Sequence, residues 1–65
     1  MDYKNCVLIG KNAFAIMDDQ VVIGNFTEEE ASTETYNDCY IFQDGKVIIK
    51  KDIVDSLIGG ISDIQ

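Results

Sequence analysis

Residues 14–26 of this chain read FAIMDDQVVIGNF. Two apolar runs, 14–17 and 21–26, flank the polar group Asp18-Asp19-Gln20. Asp residues tolerate turn geometry, and short β-branched or aromatic runs on both sides of a turn are typical of strands. We therefore predict a strand–turn–strand unit over these residues.

An apolar triplet recurs at residues 7–9 (VLI), 21–23 (VVI) and 47–49 (VII). Because successive strand side chains point to opposite faces, each triplet places apolar groups on both faces of its strand. A closed barrel, or a helix over the second face, would cover them. Alternatively, the second face or an edge strand contacts another copy of the chain. We favour this homo-oligomer, with an interface that includes Val7, Ile9, Val22 and Ile48.

Cap and turn signals locate the other elements. Thr27 followed by Glu30 has the capping-box spacing, which predicts a helical turn near residues 28–33, with an exposed acidic loop as the alternative. Residues 35–42 predict a strand, and Asp44-Gly45 predicts a hairpin to the strand at 47–49. Residues 52–61 fit either an amphipathic helix that stops at Gly59-Gly60 or one helical turn followed by a strand at 56–61.

Together these elements predict one small domain, residues 1–65, that is mainly β. The expected fold is a five-stranded barrel or a bent antiparallel sheet with one or two short helical turns. A single core of this size supplies no more than ~3–5 kcal/mol of net stability. The net charge of −7 adds repulsion within the chain and reduces this stability further. Because chains of this length often gain stability from a partner subunit, association is expected on this ground too.

The charge is concentrated in one part of the chain. Between residues 12 and 45 there are eight carboxylates and no cationic side chain. Phosphate backbones are bound through Lys and Arg, so this span argues against a nucleic-acid ligand, whereas a basic protein surface would be attracted. The basic cluster Lys46, Lys50 and Lys51 is interpreted as a solvated face or as protection of an edge strand.

The residue inventory predicts no enzyme, no cofactor and no metal site. The chain has no His, so the thiols of Cys6 and Cys39 lack the usual activating base. In a reducing compartment we expect two buried thiols, and in an oxidising one a Cys6–Cys39 bridge. No apolar stretch approaches the ~20 residues of a membrane span, and residues 1–4 lack the pattern of a signal peptide. A cytoplasmic protein is expected.

The same residues 14–26 resemble the first motif of Sm-like proteins, small five-stranded barrels of the SH3-like type. The matching positions are Phe14, Ile16, Asp18, Val21, Val22, Gly24 and Phe26. The similarity extends into residues 46–58, although 49–53 lack the Arg-Gly pair of the second motif. The resemblance implies rings built through edge strands and, in many members, binding of single-stranded RNA. The loop that would contact RNA here carries three consecutive Glu residues, so the RNA site does not carry over.

The sequence thus predicts a small acidic protein that acts by binding. Its carboxylates would engage a basic protein surface through Glu28, Glu29, Glu30, Glu34 and Asp38. The extreme form of this hypothesis is an inhibitor of phage or mobile-element type that mimics nucleic acid. The alternative is an Sm-like ring subunit, structural or RNA-associated. A simpler interpretation is that the acids only keep the protein soluble.

Overall fold

Four short strands and two helices make up the part of the chain that the structure describes. The structure, a computed structural model, describes residues 2–63 and the side chains of residues 2–59. Met1, Ile64 and Gln65, which belong to the predicted domain, and the side chain of Ile61 lie outside the described part. The elements are β1 (Val7–Ile9), β2 (Val21–Ile23), α1 (Glu28–Thr33), β3 (Cys39–Phe42), a 3-10 turn (Gln43–Gly45), β4 (Val47–Lys50) and α2 (Lys51–Asp63).

The strands form one open sheet in the order β1-β2-β4-β3. The predicted five-stranded barrel is therefore wrong, and so is its alternative, a bent antiparallel sheet, because two of the three strand pairs are parallel. β1 pairs with β2 and β2 with β4 in parallel, and only β3 and β4 are antiparallel. The three apolar triplets lie side by side in register, Val7↔Val21↔Val47. Parallel neighbours need a crossover connection rather than a tight turn, and residues 10–20 provide it.

Residues 14–17 belong to this crossover and form no strand, contrary to the sequence prediction. Phe14 packs against the core instead, and the side chains of residues 15–17 are half-buried. The ring of Phe14 stacks on Tyr36 with centroids 4.8 Å apart and meets Phe26 edge-on at 5.1 Å. A short apolar run in a half-buried connection resembles a strand in the sequence, because periodicity does not distinguish the two.

The segment from Lys4 to Phe26 winds through two coils in which equivalent residues lie 14 positions apart. Four hydrogen bonds of 2.7 to 2.9 Å connect such equivalent residues, namely Lys4 to Asp18, Asn5 to Asp19, Lys11 to Asn25 and Asn12 to Phe26. The chain therefore stacks one coil on the next, as solenoid proteins do, with no helix between the parallel strands.

Gly10 and Gly24 follow β1 and β2 at equivalent positions of the two coils. Their φ angles are +120° and +140°, a conformation that glycine adopts at little cost. A Cβ on Gly10 would overlap the carbonyl oxygen of Gly24, and a Cβ on Gly24 would lie 2.7 Å from the Cβ of Lys50. The two glycines therefore allow the close stacking of the coils.

The core lies on one face of the sheet. Val22 and Ile48 are 0% and 1% exposed and pack with Phe26, while Phe14 and Tyr36 cover them. The prediction that Val22 and Ile48 belong to an oligomer interface is wrong. Their own chain buries them, because the crossover and the segment after α1 lie over this face.

Gln20 is a fully buried polar residue at the edge of this core. Its Oε1 accepts the Ile16 N–H at 2.8 Å, and its Nε2 donates to the Gly45 carbonyl at 2.6 Å. The Tyr36 hydroxyl lies 3.1 Å from both Gln20 Oε1 and the Phe14 carbonyl oxygen. One satisfied amide thus connects the crossover, the hairpin and the aromatic cluster.

The opposite side of the sheet carries apolar residues that alternate with those of the core. We call it the outer face, and it consists of Val7, Ile9, Val21, Ile23, Tyr40, Phe42, Val47 and Ile49. Every one of these side chains is exposed or half-buried. The second apolar face predicted from the triplets is therefore present.

Local signals after residue 26 are confirmed where they predict the N-cap of α1 and the hairpin. Thr27 caps α1 in a complete capping box, and the turn at Gln43–Gly45 joins the antiparallel strands β3 and β4. The C-terminal segment is a helix, so the alternative strand at 56–61 is wrong. α2 also continues through Gly59-Gly60 to Asp63, because glycine weakens a helix without ending it.

Candidate partner-binding surface

An open groove of about 620 Å³ lies between α1 and the end of β4. It is on the core side of the sheet, because Lys50 shares the face of Ile48. Its lining is polar and acidic, and consists of Asn25, Thr27, Glu29, Glu30, Thr33, Thr35, Asn37, Asp38 and Lys50.

The structure brings three of the five predicted partner-binding acids into this groove. Glu29 and Glu30 come from α1, and Asp38 comes from the residue before β3. Glu28 and Glu34 face two neighbouring concavities, one beside Lys11 and Asn12 and the other beside Leu8 and Ala15. The acidic cluster therefore surrounds α1 rather than forming one flat patch.

Glu30 has a structural role and is unavailable to a partner, so its assignment as a free binding acid is corrected. It is only 8% exposed. Its Oε1 accepts the Thr27 N–H at 2.8 Å, and its own N–H donates to Thr27 Oγ1 at 3.0 Å. The Thr27 N–H and, to a smaller degree, Lys50 hold the pKa of Glu30 below its usual value, against an opposing effect of burial.

Lys50 is a groove residue that the sequence did not identify. Its Nζ lies 3.1 Å from Glu30 Oε2, donates to the Asn37 carbonyl at 2.8 Å, and sits 4.7 Å from the centre of the Phe26 ring. These three contacts hold its charge in place. The available signal was the triplet 47–49, because Lys50 follows it as Gly10 and Gly24 follow the other two.

The remaining predicted acids, Glu28, Glu29, Glu34 and Asp38, are all exposed. Within residues 2–59, the only ion pair joins Glu30 to Lys50. Glu34 and Asp38 both adopt left-handed backbone, each with φ of 54°, at the ends of the α1–β3 connection. The groove therefore presents Glu29 and Asp38 as carboxylates without a cationic partner among the described residues.

Nucleophilic groups near this surface are not activated. Burial raises the pKa of the Cys39 thiol, and burial also raises the pKa of Tyr36 to about 12. Cys6 and Cys39 are both free and half-buried, so the alternative of a bridge between them is not realised. The described residues contain no group of three metal-ligating side chains.

Comparison with protein families, with curated proteins and with solved structures finds no match for this chain. The Sm-like resemblance therefore stays a prediction. No helix among the described residues has the length and apolar character needed to cross a membrane.

Proposed function

We propose that this protein acts by binding, and that the groove beside α1 captures a Lys- or Arg-rich segment of another protein. The observation that carries this proposal is the placement of Glu29 and Asp38 in one groove whose only lysine, Lys50, is already paired with Glu30. A cationic chain would supply the missing counter-charges.

The form of the groove favours an extended segment over an enclosed small molecule. Its volume of about 620 Å³ lies within the ~300–1,000 Å³ of ligand sites, but the groove is open to solvent. Thr33, Thr35 and Asn37 line it with hydroxyl and amide groups, which can donate to and accept from a peptide backbone. Charge would then determine the class of partner, and these polar groups would hold its main chain.

Titration of a fluorescent oligoarginine peptide at low salt tests the proposal. We expect the double variant Glu29→Gln/Asp38→Asn to weaken binding roughly fivefold, since each exposed charge pair contributes about 0.2–1 kcal/mol. The loss should shrink as salt is added, because ions screen exposed charges.

The matched control is Asp2→Asn/Asp44→Asn, which removes the same two charges from residues outside the groove. We expect this control to bind nearly as tightly as the wild type. Equal losses in both double variants would contradict a groove site and leave only a general effect of net charge. In the mimic form of the hypothesis the partner is a nucleic-acid-binding protein, which replaces the peptide in the titration. A single-stranded oligonucleotide should then compete with this chain for that protein.

A further inference from the structure

The outer face of the sheet has no cover within the described part of the chain beyond the start of α2. That contact lies at one corner, where the Tyr40 hydroxyl donates to Asp55 Oδ1 at 3.2 Å and Lys51 Nζ lies 5.7 Å from the Tyr40 ring. At the far edge Ile9 is 53% exposed. The face carries no charged side chain, so water contacts a continuous apolar surface.

α2 leaves this corner and extends away from the sheet. It follows β4 directly, and the molecule measures 44 Å along its longest axis but only 23 and 17 Å along the others. Ile53 and Val54 are half-buried near the sheet, whereas Leu57 and Ile58 one turn further are 64% and 56% exposed. The apolar side of the helix therefore continues the outer face into solvent.

We propose that a second copy of this chain covers both surfaces, with α2 of each protomer packed on the outer face of the other. A two-fold axis brings the same pair of surfaces together twice. An apolar helix side that cannot fold back onto its own sheet then meets an apolar face that its own chain leaves open.

The area of these surfaces favours this reciprocal arrangement. Four strands spaced about 4.8 Å apart and three residues long present a face of roughly 200 Å², which is small beside the ~800 Å² that each partner contributes to a stable interface. A helix of this length adds a stripe about 20 Å long. The helix about doubles the apolar area of each protomer, so a contact that uses the face and the helix of both is the largest that these surfaces allow.

The outer face carries no charged side chain, so it offers no counter-charge to the basic partner proposed for the groove. Two chains of net charge −7 repel overall, so they can associate only where the contacting surface itself is neutral, as the outer face is. The groove and α1 lie on the core side of the sheet, and the outer face lies on the other. Self-association therefore goes beyond the proposed function and leaves the groove free.

Sedimentation velocity between roughly 1 and 100 µM tests the dimer. The wild type should approach twice the 7.3 kDa mass of the chain as concentration rises. Ile9→Lys on the outer face and Ile58→Glu on α2 should each lower the association constant of the dimer at least tenfold. Ile41→Lys is the matched control, because Ile41 is 58% exposed but belongs to the opposite face, and this variant should dimerise as the wild type does.

Mixing the Ile9→Lys and Ile58→Glu chains separates reciprocal packing from other dimers. In the mixed dimer one contact has two wild-type surfaces, and in the other the new glutamate meets the new lysine. The mixture should therefore recover the dimer and, if either variant alone is partly unfolded, its helical circular dichroism.

Three results would overturn the proposal. A wild-type chain that stays monomeric at 100 µM removes the second copy as the occupant. An Ile9→Lys chain that still dimerises indicates contact between helices alone. An Ile58→Glu chain that still dimerises indicates contact between sheets alone.

Discussion

Ile48 and Ile49 are neighbours in β4, yet Ile48 is buried in the core and Ile49 lies half-buried on the outer face. The two faces of the sheet are built from the same β-branched residues in the same three triplets. They differ in what lies over them. Phe14 and Tyr36 cover one face, whereas in the described part of the chain the start of α2 alone contacts the other. An apolar residue in such a triplet therefore indicates a strand, but it does not indicate which face of that strand the rest of the chain buries.

The largest expected effect compares these two isoleucines directly. Ile48→Ala should lower the free energy of unfolding by about 3 kcal/mol, because it opens a cavity in a closed core. Ile49→Ala should lower it by about 1 kcal/mol in a dilute sample, because the Ile49 side chain is only half-buried in the monomer. Urea titrations at low and high protein concentration measure both.

The same titrations show how the cover changes with concentration. If a second copy covers the outer face, the cost of Ile49→Ala should rise with protein concentration, while that of Ile48→Ala relative to the wild type stays constant. Equal losses in the free energy of unfolding for the two variants in dilute samples would mean that the two faces of the sheet are equally buried.

A smaller loss of stability is expected from substitution of Gly10, which allows the two coils, and so β1 and β2, to lie close together. Gly10→Ala should lower the free energy of unfolding by about 2 kcal/mol, within the ~1–3 kcal/mol typical of local backbone strain, since its Cβ meets the Gly24 carbonyl. Thermal unfolding measures this loss.

Gly45→Ala is the control for the backbone angle alone. Gly45 also has positive φ, of 92°, but its nearest neighbour is the flexible end of Met17 at 3.3 Å. This variant should lose less than Gly10→Ala does. Equal losses of stability in the two variants would show that the positive φ angle, and not the contact between coils, is the reason for glycine at position 10.

The smallest expected effect is a pH dependence on the core side. The pKa of Glu30 lies below its ordinary value of 4.5 in the folded chain. The unfolded chain therefore takes up a proton first as the pH falls, and the contribution of this carboxylate to stability is present above about pH 4.5 and lost as the pH drops through the folded pKa. Urea midpoints from about pH 7 to about pH 3 should fall less steeply in Glu30→Gln than in the wild type.

The control for this titration is Glu28→Gln, which removes a charge from the same helical turn but from an exposed side chain. It should keep the wild-type slope. A wild-type slope in Glu30→Gln as well would show that the bond from the Thr27 N–H does not govern the acid sensitivity.

Much of the fold was predictable where the signal is local. The capping box at Thr27 and the turn at Asp44-Gly45 each depend on residues within four positions, and both predictions are confirmed. The strand predicted at 14–17 and the barrel were wrong, because the direction in which strands pair depends on residues far apart. The missed signal was the 14-residue spacing at which Val7 and Gly10 are repeated as Val21 and Gly24.

The candidate site was predictable to a similar degree. The charge pattern identified Glu29 and Asp38, which line the groove. It also included Glu30, although the capping-box spacing already implied a structural use for that carboxylate. Lys50 was not predictable without the register of β4 against β2, which places it beside α1.

The repeat of 14 residues also determines which changes in chain length the first half can accept. Hydrogen bonds between equivalent residues join one coil to the next, so a whole coil inserted between β1 and β2 can form the same bonds with the coils on either side. Insertion of one residue moves each following side chain out of step with the layer beneath and turns core residues outward. Length variation in this region should therefore occur in whole coils.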